Sequence, residues 1–140
     1  MTDITAVRII QNQLASKTEV INGIKVPAAF TGEGSRKFGG RWNSIGTPIV
    51  YTAGTQSLAI LEVVVHVESE RLLEHYSLFE VSFDQSLVLE LSLDSLPEDW
   101  QSDPAAESTK VIGDQWVKQA DSLILQVAST IVSYTPNYII

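Results

Sequence analysis

Residues 47–67, TPIVYTAGTQSLAILEVVVHV, change periodicity once, at Gly54. Before the glycine, 47–52 reads as a buried strand entered through Pro48. After it, Thr55 is a suitable N-cap for a helix over 56–67, with Leu58, Leu61, Val64 and Val65 at helical spacing. A strand that hands over to a helix across one breaker commits the chain to a domain mixing both elements.

The flanking sequence fits that frame. Strands are expected over 6–10, 76–83, 86–91, 122–127 and 130–134, and a helix over 108–120 with Val111, Ile112, Gln115 and Trp116 on one side. Residues 11–38, broken by Gly23, Gly32 and Gly34 and followed by Gly39 and Gly40, read mostly as loop with at most a short helix. Residues 96–100 are a loop. Strands outnumber helices in an irregular order, which indicates a compact α+β or mixed α/β fold. At 140 residues the chain has the size of one domain, 1–140.

Composition removes several function classes. Hydrophobic residues are 44% of the chain and charged residues 19%, enough for a packed core. The net charge of −8 argues against broad binding to nucleic acid, because phosphate neutralisation needs a lysine- and arginine-rich surface. Without cysteine there is no disulfide framework and no thiolate metal site. His66 and His75 are too few for a histidine zinc site, and neither has a nucleophile partner that suggests a Ser-His-Asp hydrolase. No metal is expected. No apolar run approaches the roughly 20 residues of a membrane span, and the first residues, MTDIT, lack a signal peptide's order. A cytoplasmic location is the expectation.

Against that background a few residues carry chemistry. Arg36, Lys37 and Arg41 are three of nine basic residues, yet fall within six positions. They sit among glycines, which let backbone N–H groups approach a ligand, and arginine grips phosphate oxygens through its planar fork. An anion site is one reading of that cluster; a solvated basic loop is the other. The glycines match neither a Rossmann fingerprint nor a Walker loop. Glu62 follows Leu58 by four, so it lies near the apolar face of its helix, where a carboxylate is costly unless paired or used. Tyr51, Trp42, Trp100 and Trp116 suit core aromatics, and Ser129 a structural hydroxyl between two strands.

Together these residues resemble the RES domain family, named for an arginine, a glutamate and a serine. The similarity rests on Gly32-Glu33-Gly34-Ser35, Gly39-Gly40-Arg41-Trp42-Asn43, residues 48–51, and Leu58-Ala59-Ile60-Leu61-Glu62 with His66. It continues through Leu96-Pro97 with Trp100, Ile112-Gly113-Asp114 with Trp116, Ala128-Ser129 and Asn137-Tyr138. The resemblance implies an α+β, ADP-ribosyltransferase-like fold: a mixed β-sheet core with flanking helices. It implies an NAD-consuming toxin of a toxin–antitoxin pair, which cleaves the nicotinamide–ribose bond as a glycohydrolase, phosphorylase or ADP-ribosyltransferase. NAD is then substrate, and no cofactor is expected.

By resemblance Arg41 is the family arginine, Glu62 the glutamate and Ser129 the serine. Tyr51 is the tyrosine of the same pocket, and Arg8 a further N-terminal arginine. Arg8, Arg36, Lys37, Gly39, Gly40, Arg41 and Tyr51 are the expected NAD-binding set. The expected partner is an Xre-type helix-turn-helix antitoxin, and exposed apolar strands would allow a homodimer. Two departures stand out: Ala128 replaces the family's usual proline, and the family's tail after Asn-Tyr, with an Asn-Pro and a histidine, is expected to be short or missing here. A domain that lacked this tail would be, on the alternative reading, a catalytically weak nucleotide- or antitoxin-binding module.

Overall fold

The structure is a computed structural model and describes residues 2–65 and 75–140. The chain runs β1 (Asp3–Gln11), α1 (Asn12–Ala15), β2 (Thr18–Ile21), β3 (Ile24–Pro27), α2 (Glu33–Phe38), β4 (Tyr51–Ala53) and α3 (Gln56–Val64). It continues β5 (Tyr76–Asp84), β6 (Val88–Glu90), α4 (Glu107–Gln119), β7 (Ile124–Ala128) and β8 (Pro136–Ile139). One six-stranded sheet has the order β5-β1-β4-β8-β7-β6. It is antiparallel except for the β6–β7 pair, so the sheet is mixed and the fold α+β.

Side chains alternate across this sheet. One face carries Val7 and Ala53 beneath Leu58 and Ala59 of α3. Further along it, Leu125, Val127 and Ile139 pack with Trp42, Ile49 and Trp116 of α4. The other face holds Ala6, Phe83, Ile124 and Tyr138, with Phe83 and Tyr138 edge to face at 5.3 Å.

Several expected elements are corrected. The region 11–38 is not mostly loop. It holds a separate hairpin, β2–β3, turned at Asn22-Gly23 with φ of 51° and 80°. Asn-Gly favours this two-residue turn because both positions need positive φ. The strand expected over 47–52 starts only at Tyr51. Pro48 has no N–H, and the Ile49 N–H is taken by the Ser35 hydroxyl at 2.9 Å. Val50 still exchanges two 3.0 Å backbone bonds with Ile140. The expected strand over 86–91 shortens to β6, because Asp84 accepts from the Ser86 N–H at 2.8 Å and closes a 3₁₀ turn first.

No strand forms over 130–134. The N–H groups of Ile131 and Val132 turn back to the Ser129 hydroxyl at 3.1 and 3.4 Å, so the ladder breaks and resumes at β8. Thr55 does cap α3, accepting from the Leu58 N–H at 3.0 Å. The packed face of α3 is rotated from the expected one. Leu58 and Ala59 are buried, whereas Leu61 and Val65 are 39% and 49% exposed. In α4, Thr109, Gly113 and Trp116 face inward, and Val111 is exposed. The expected end of α3 at 67, with His66, lies outside the described residues. Among the described residues, no helix is long and apolar enough to cross a membrane.

Candidate active site

The loop Gly39-Gly40-Arg41-Trp42-Asn43 is gripped from three sides. Gly39 has φ of 72°, which ends α2 in a conformation other residues avoid. A Cβ on Gly40 would stand 2.6 Å from the Tyr51 hydroxyl oxygen, so only glycine admits the tyrosine there. Trp42 is buried in the core and anchors the loop. Asn43 is fully buried; its amide nitrogen donates to the carbonyls of Ser35, Ser44 and Thr47, at 2.9, 3.2 and 2.8 Å.

Tyr51 completes this network. Its hydroxyl donates to Asn43 Oδ1 at 2.5 Å and accepts from the Trp42 N–H at 3.0 Å. Burial pushes the phenol well above its ordinary value, so it stays neutral. Its hydroxyl is committed to the loop, which leaves the ring as the cavity-lining part.

Helix α4 holds the same loop from the opposite side. Thr109 Oγ1 donates to the Arg41 carbonyl at 2.6 Å, and Lys110 Nζ to the Gly40 carbonyl at 3.0 Å. A Cβ on Gly113 would fall 1.6 Å from the Trp42 carbonyl oxygen; the helix can seat there only because position 113 is glycine. Asp114 accepts from the Ser44 N–H at 2.9 Å. Burial works against its ionisation, but bonds from Ser44 and Thr47 and the Lys110 charge outweigh it, so this carboxyl lies below its ordinary value. With its backbone so held, Arg41 reaches outward and donates through Nη1 to the carbonyls of Trp100 and Ser102, at 2.9 and 2.8 Å.

A cavity of about 700 Å³ opens between this loop, α3 and the sheet, within the range of roughly 300–1,000 Å³ usual for small-molecule sites. Arg8, Arg41, Tyr51, Glu62, Lys110 and Asn137 are among its walls, with Asp103 and the exposed Phe38. Three cations face two carboxylates there, in a chain of net charge −8.

Arg8 enters from β1 and donates to the Tyr51 carbonyl at 3.0 Å. Its Nε is buried and without a hydrogen-bond partner among the described residues. Burial lowers its pKa, yet a guanidinium remains cationic at neutral pH. Glu62 enters from α3, one turn past the buried Leu58. Asn137 Nδ2 donates to both of its carboxylate oxygens at 3.1 Å, and Ser129 Oγ lies 3.4 Å from Oε2. Ser129 is fully buried.

The structure therefore brings Arg8, Arg41, Tyr51, Glu62, Gly39 and Gly40 to one cavity, with Ser129 behind Glu62. Arg36 and Lys37 do not line it. Arg36 is paired with Glu33 at 2.5 Å on the exposed side of α2. Both Arg36 and Lys37 lie on α2, whose Gly34, Ser35 and Phe38 line the cavity, so the helix phase puts positions 36 and 37 off its lining face. Lys110 and Asn137 were not singled out from residue chemistry. Lys110 carries a weak signal, three residues before Gly113 on one helix face; Asn137 carries only its place in the Asn137-Tyr138 match. Among the described residues, no group of three His, Asp or Glu side chains could hold a metal ion.

Comparison with known proteins adds four findings. The family model described as RES domain matches residues 18–140. The protein named Toxin Res from Photorhabdus laumondii is 39% identical over 115 residues, covering 82% of this chain and 74% of its own. The Prs ADP-ribosylating toxin of a Sphingobium species is 34% identical over 114 residues, covering 79% of this chain and 71% of its own. Among solved structures, a chain from the crystal structure of the M. tuberculosis MbcT–MbcA toxin–antitoxin complex shares the fold, with a TM-score of 0.73 at 20% identity. That match covers 99% of this chain and 74% of the other.

Proposed function

The chain belongs to the RES domain family, and from that premise we propose that it is the toxin of a toxin–antitoxin pair, an enzyme that consumes NAD by breaking its nicotinamide–ribose bond. The names of its relatives, Toxin Res and Prs ADP-ribosylating toxin, support a toxin that acts on a nucleotide. The observation that carries the reading is that a single cavity is lined by the cations Arg8, Arg41 and Lys110 together with the carboxylate of Glu62.

That combination of charges suits the reaction. The pyrophosphate of NAD is anionic and needs cationic donors; the arginine fork and a lysine supply them. In the reaction, the bond between ribose C1′ and the nicotinamide nitrogen breaks, and its electron pair leaves with nicotinamide, which departs neutral. The ribose is left with oxocarbenium character. A fixed carboxylate near C1′ stabilises that positive charge, an effect worth roughly several kcal/mol in a site shielded from water. An acceptor oxygen then bonds to C1′ and loses its proton; with water the products are ADP-ribose, nicotinamide and a proton. Phosphate or a protein side chain takes the same place in the phosphorylase and transferase versions.

In this scheme Glu62 bears the charge, and Arg41 with Lys110 and Arg8 holds the pyrophosphate. The Tyr51 ring offers a flat face to the nicotinamide, and Ser129 supports Glu62. The antitoxin partner, of helix-turn-helix type, silences the enzyme by binding over the cavity. The test is incubation of purified protein with NAD while free nicotinamide is followed, in buffers with and without phosphate and acceptor protein. Nicotinamide release is expected, with the second product identifying the acceptor. NAD that persists through prolonged incubation with folded protein would remove the proposal.

A further inference from the structure

We propose that Asn137 is a positioning residue: its side-chain amide fixes the Glu62 carboxylate on the cavity floor and favours its ionised form. The idea rests on the NAD-cleaving reading above, but its geometry is independent of it. Asn137 Nδ2 lies 3.1 Å from each oxygen of Glu62 and 3.2 Å from the Thr52 carbonyl oxygen. A backbone carbonyl can only accept, so the nitrogen, and not the amide oxygen, must face Thr52 and Glu62. One N–H is taken by Thr52, and the other is shared between the two carboxylate oxygens. A donor shared in this way holds the plane of a carboxylate as well as its position.

The amide is itself held firmly. Asn137 lies on a central strand, opposite Ala53 of β4 and Val127 of β7. Ser129 contributes from the end of β7. Its oxygen already accepts the N–H groups of Ile131 and Val132, so its own proton is free to point to Glu62 Oε2 at 3.4 Å. These neighbours offer Glu62 donors, and donors favour the charged form of a carboxyl. Arg8 of β1, Arg41, Tyr51 of β4, Asp103 and Lys110 of α4 line the same cavity and also bear on Glu62. His66, four residues further on, lies outside the described residues. The substitution alters Asn137 alone, so the readout is chosen to report on the amide.

Two substitutions test this. Asn137→Ala removes the donors. Asn137→Asp keeps the size and replaces the donors by a second carboxylate against Glu62. For Asn137→Ala, kcat for nicotinamide release should fall about tenfold to a hundredfold, the worth of a hydrogen bond to a charged group. KM should stay within about twofold, since the pyrophosphate grip is elsewhere. Asn137→Asp should lose more than Asn137→Ala despite being closer in shape.

A readout that needs no turnover is titration of the Glu62 side-chain carboxyl by carbon NMR, which should move to higher pH in Asn137→Ala. If the titration moves but the wild-type protein does not cleave NAD, the functional reading fails and the positioning role stands. An unmoved titration overturns the proposal, whether kcat is unchanged or falls together with thermal stability. So does an Asn137→Asp protein as active as the wild type.

Discussion

Glu62 is the carboxylate on which the proposed reaction depends, and its placement was legible. Four positions after Leu58, it had to lie near the packed side of α3, and it does. Its partners were not legible, because Ser129 and Asn137 are 67 and 75 residues away. The Glu62→Gln substitution keeps size and removes charge. A glutamine can still accept from Asn137, so stability should change by no more than about 1 kcal/mol. NAD cleavage should fall by roughly a hundredfold to a thousandfold, as for other lost electrostatic stabilisers. Wild-type rates in this variant would show that the carboxylate plays no part in turnover.

Arg41 is bound differently from what its sequence neighbours suggest. It donates to the carbonyls of Trp100 and Ser102, so it ties the loop before α4 to the cavity wall while presenting its remaining donors. Arg41→Lys keeps the charge but cannot serve carbonyls and phosphate together through a planar fork. Calorimetry should show NAD affinity reduced about tenfold or more, the ~1.5–3 kcal/mol of a charged hydrogen bond. An unchanged affinity would make Arg41 a fastener of the loop and nothing else.

At the scale of elements, the seat of α4 explains why the Ile112-Gly113-Asp114 stretch accompanies Gly39-Gly40-Arg41-Trp42-Asn43. Thr109, Lys110 and Gly113 of one helix face meet the backbone of that loop, and Asp114 meets the Ser44 N–H just after it. The helix itself could be read from its periodicity, but its inward face could not. Val111 looks like a core residue by type and is exposed, while Gly113 looks like a weak point and sits where the Trp42 backbone leaves no room for a side chain. Helix propensity alone says that Gly113→Ala should stabilise by about 1 kcal/mol. The 1.6 Å that would separate an added Cβ from the Trp42 carbonyl oxygen says the reverse. The clash is with backbone and cannot be relieved by a rotamer change. The expected outcome is a loss of about 3 kcal/mol or more, measured by urea unfolding, with NAD affinity falling as the loop shifts. A variant as stable as the wild type would mean that α4 does not sit on the loop.

For the whole molecule, the proposed antitoxin is expected to act by covering the cavity. The chain carries a net charge of −8, and a DNA-binding antitoxin needs basic surface, so complementary fields would speed their meeting without setting affinity alone. If the antitoxin lies across the glycine-rich entrance at residues 32–40, NAD and antitoxin compete. A saturating, non-cleavable NAD analogue should then weaken antitoxin binding, and by linkage the antitoxin should weaken analogue binding by the same factor. Simultaneous binding with unchanged affinities would point instead to inhibition from a remote surface. What the sequence determined by itself follows from local rules: the strand-to-helix change at Gly54, the Thr55 cap, the helix before β7, the mixed α+β class, and Glu62 near a packed face. Even the Asn22-Gly23 hairpin was locally written, though it was read as loop. What only the tertiary structure decided is which distant groups meet. The carboxylate of α3 is set by an amide on β8, the arginine loop is seated on a glycine of α4, and the way α2 packs leaves Arg36 and Lys37 off the cavity while Gly34, Ser35 and Phe38 line it. Periodicity and capping act over one or two turns, whereas these contacts arise from strand order and close packing, which bring together residues far apart in the chain.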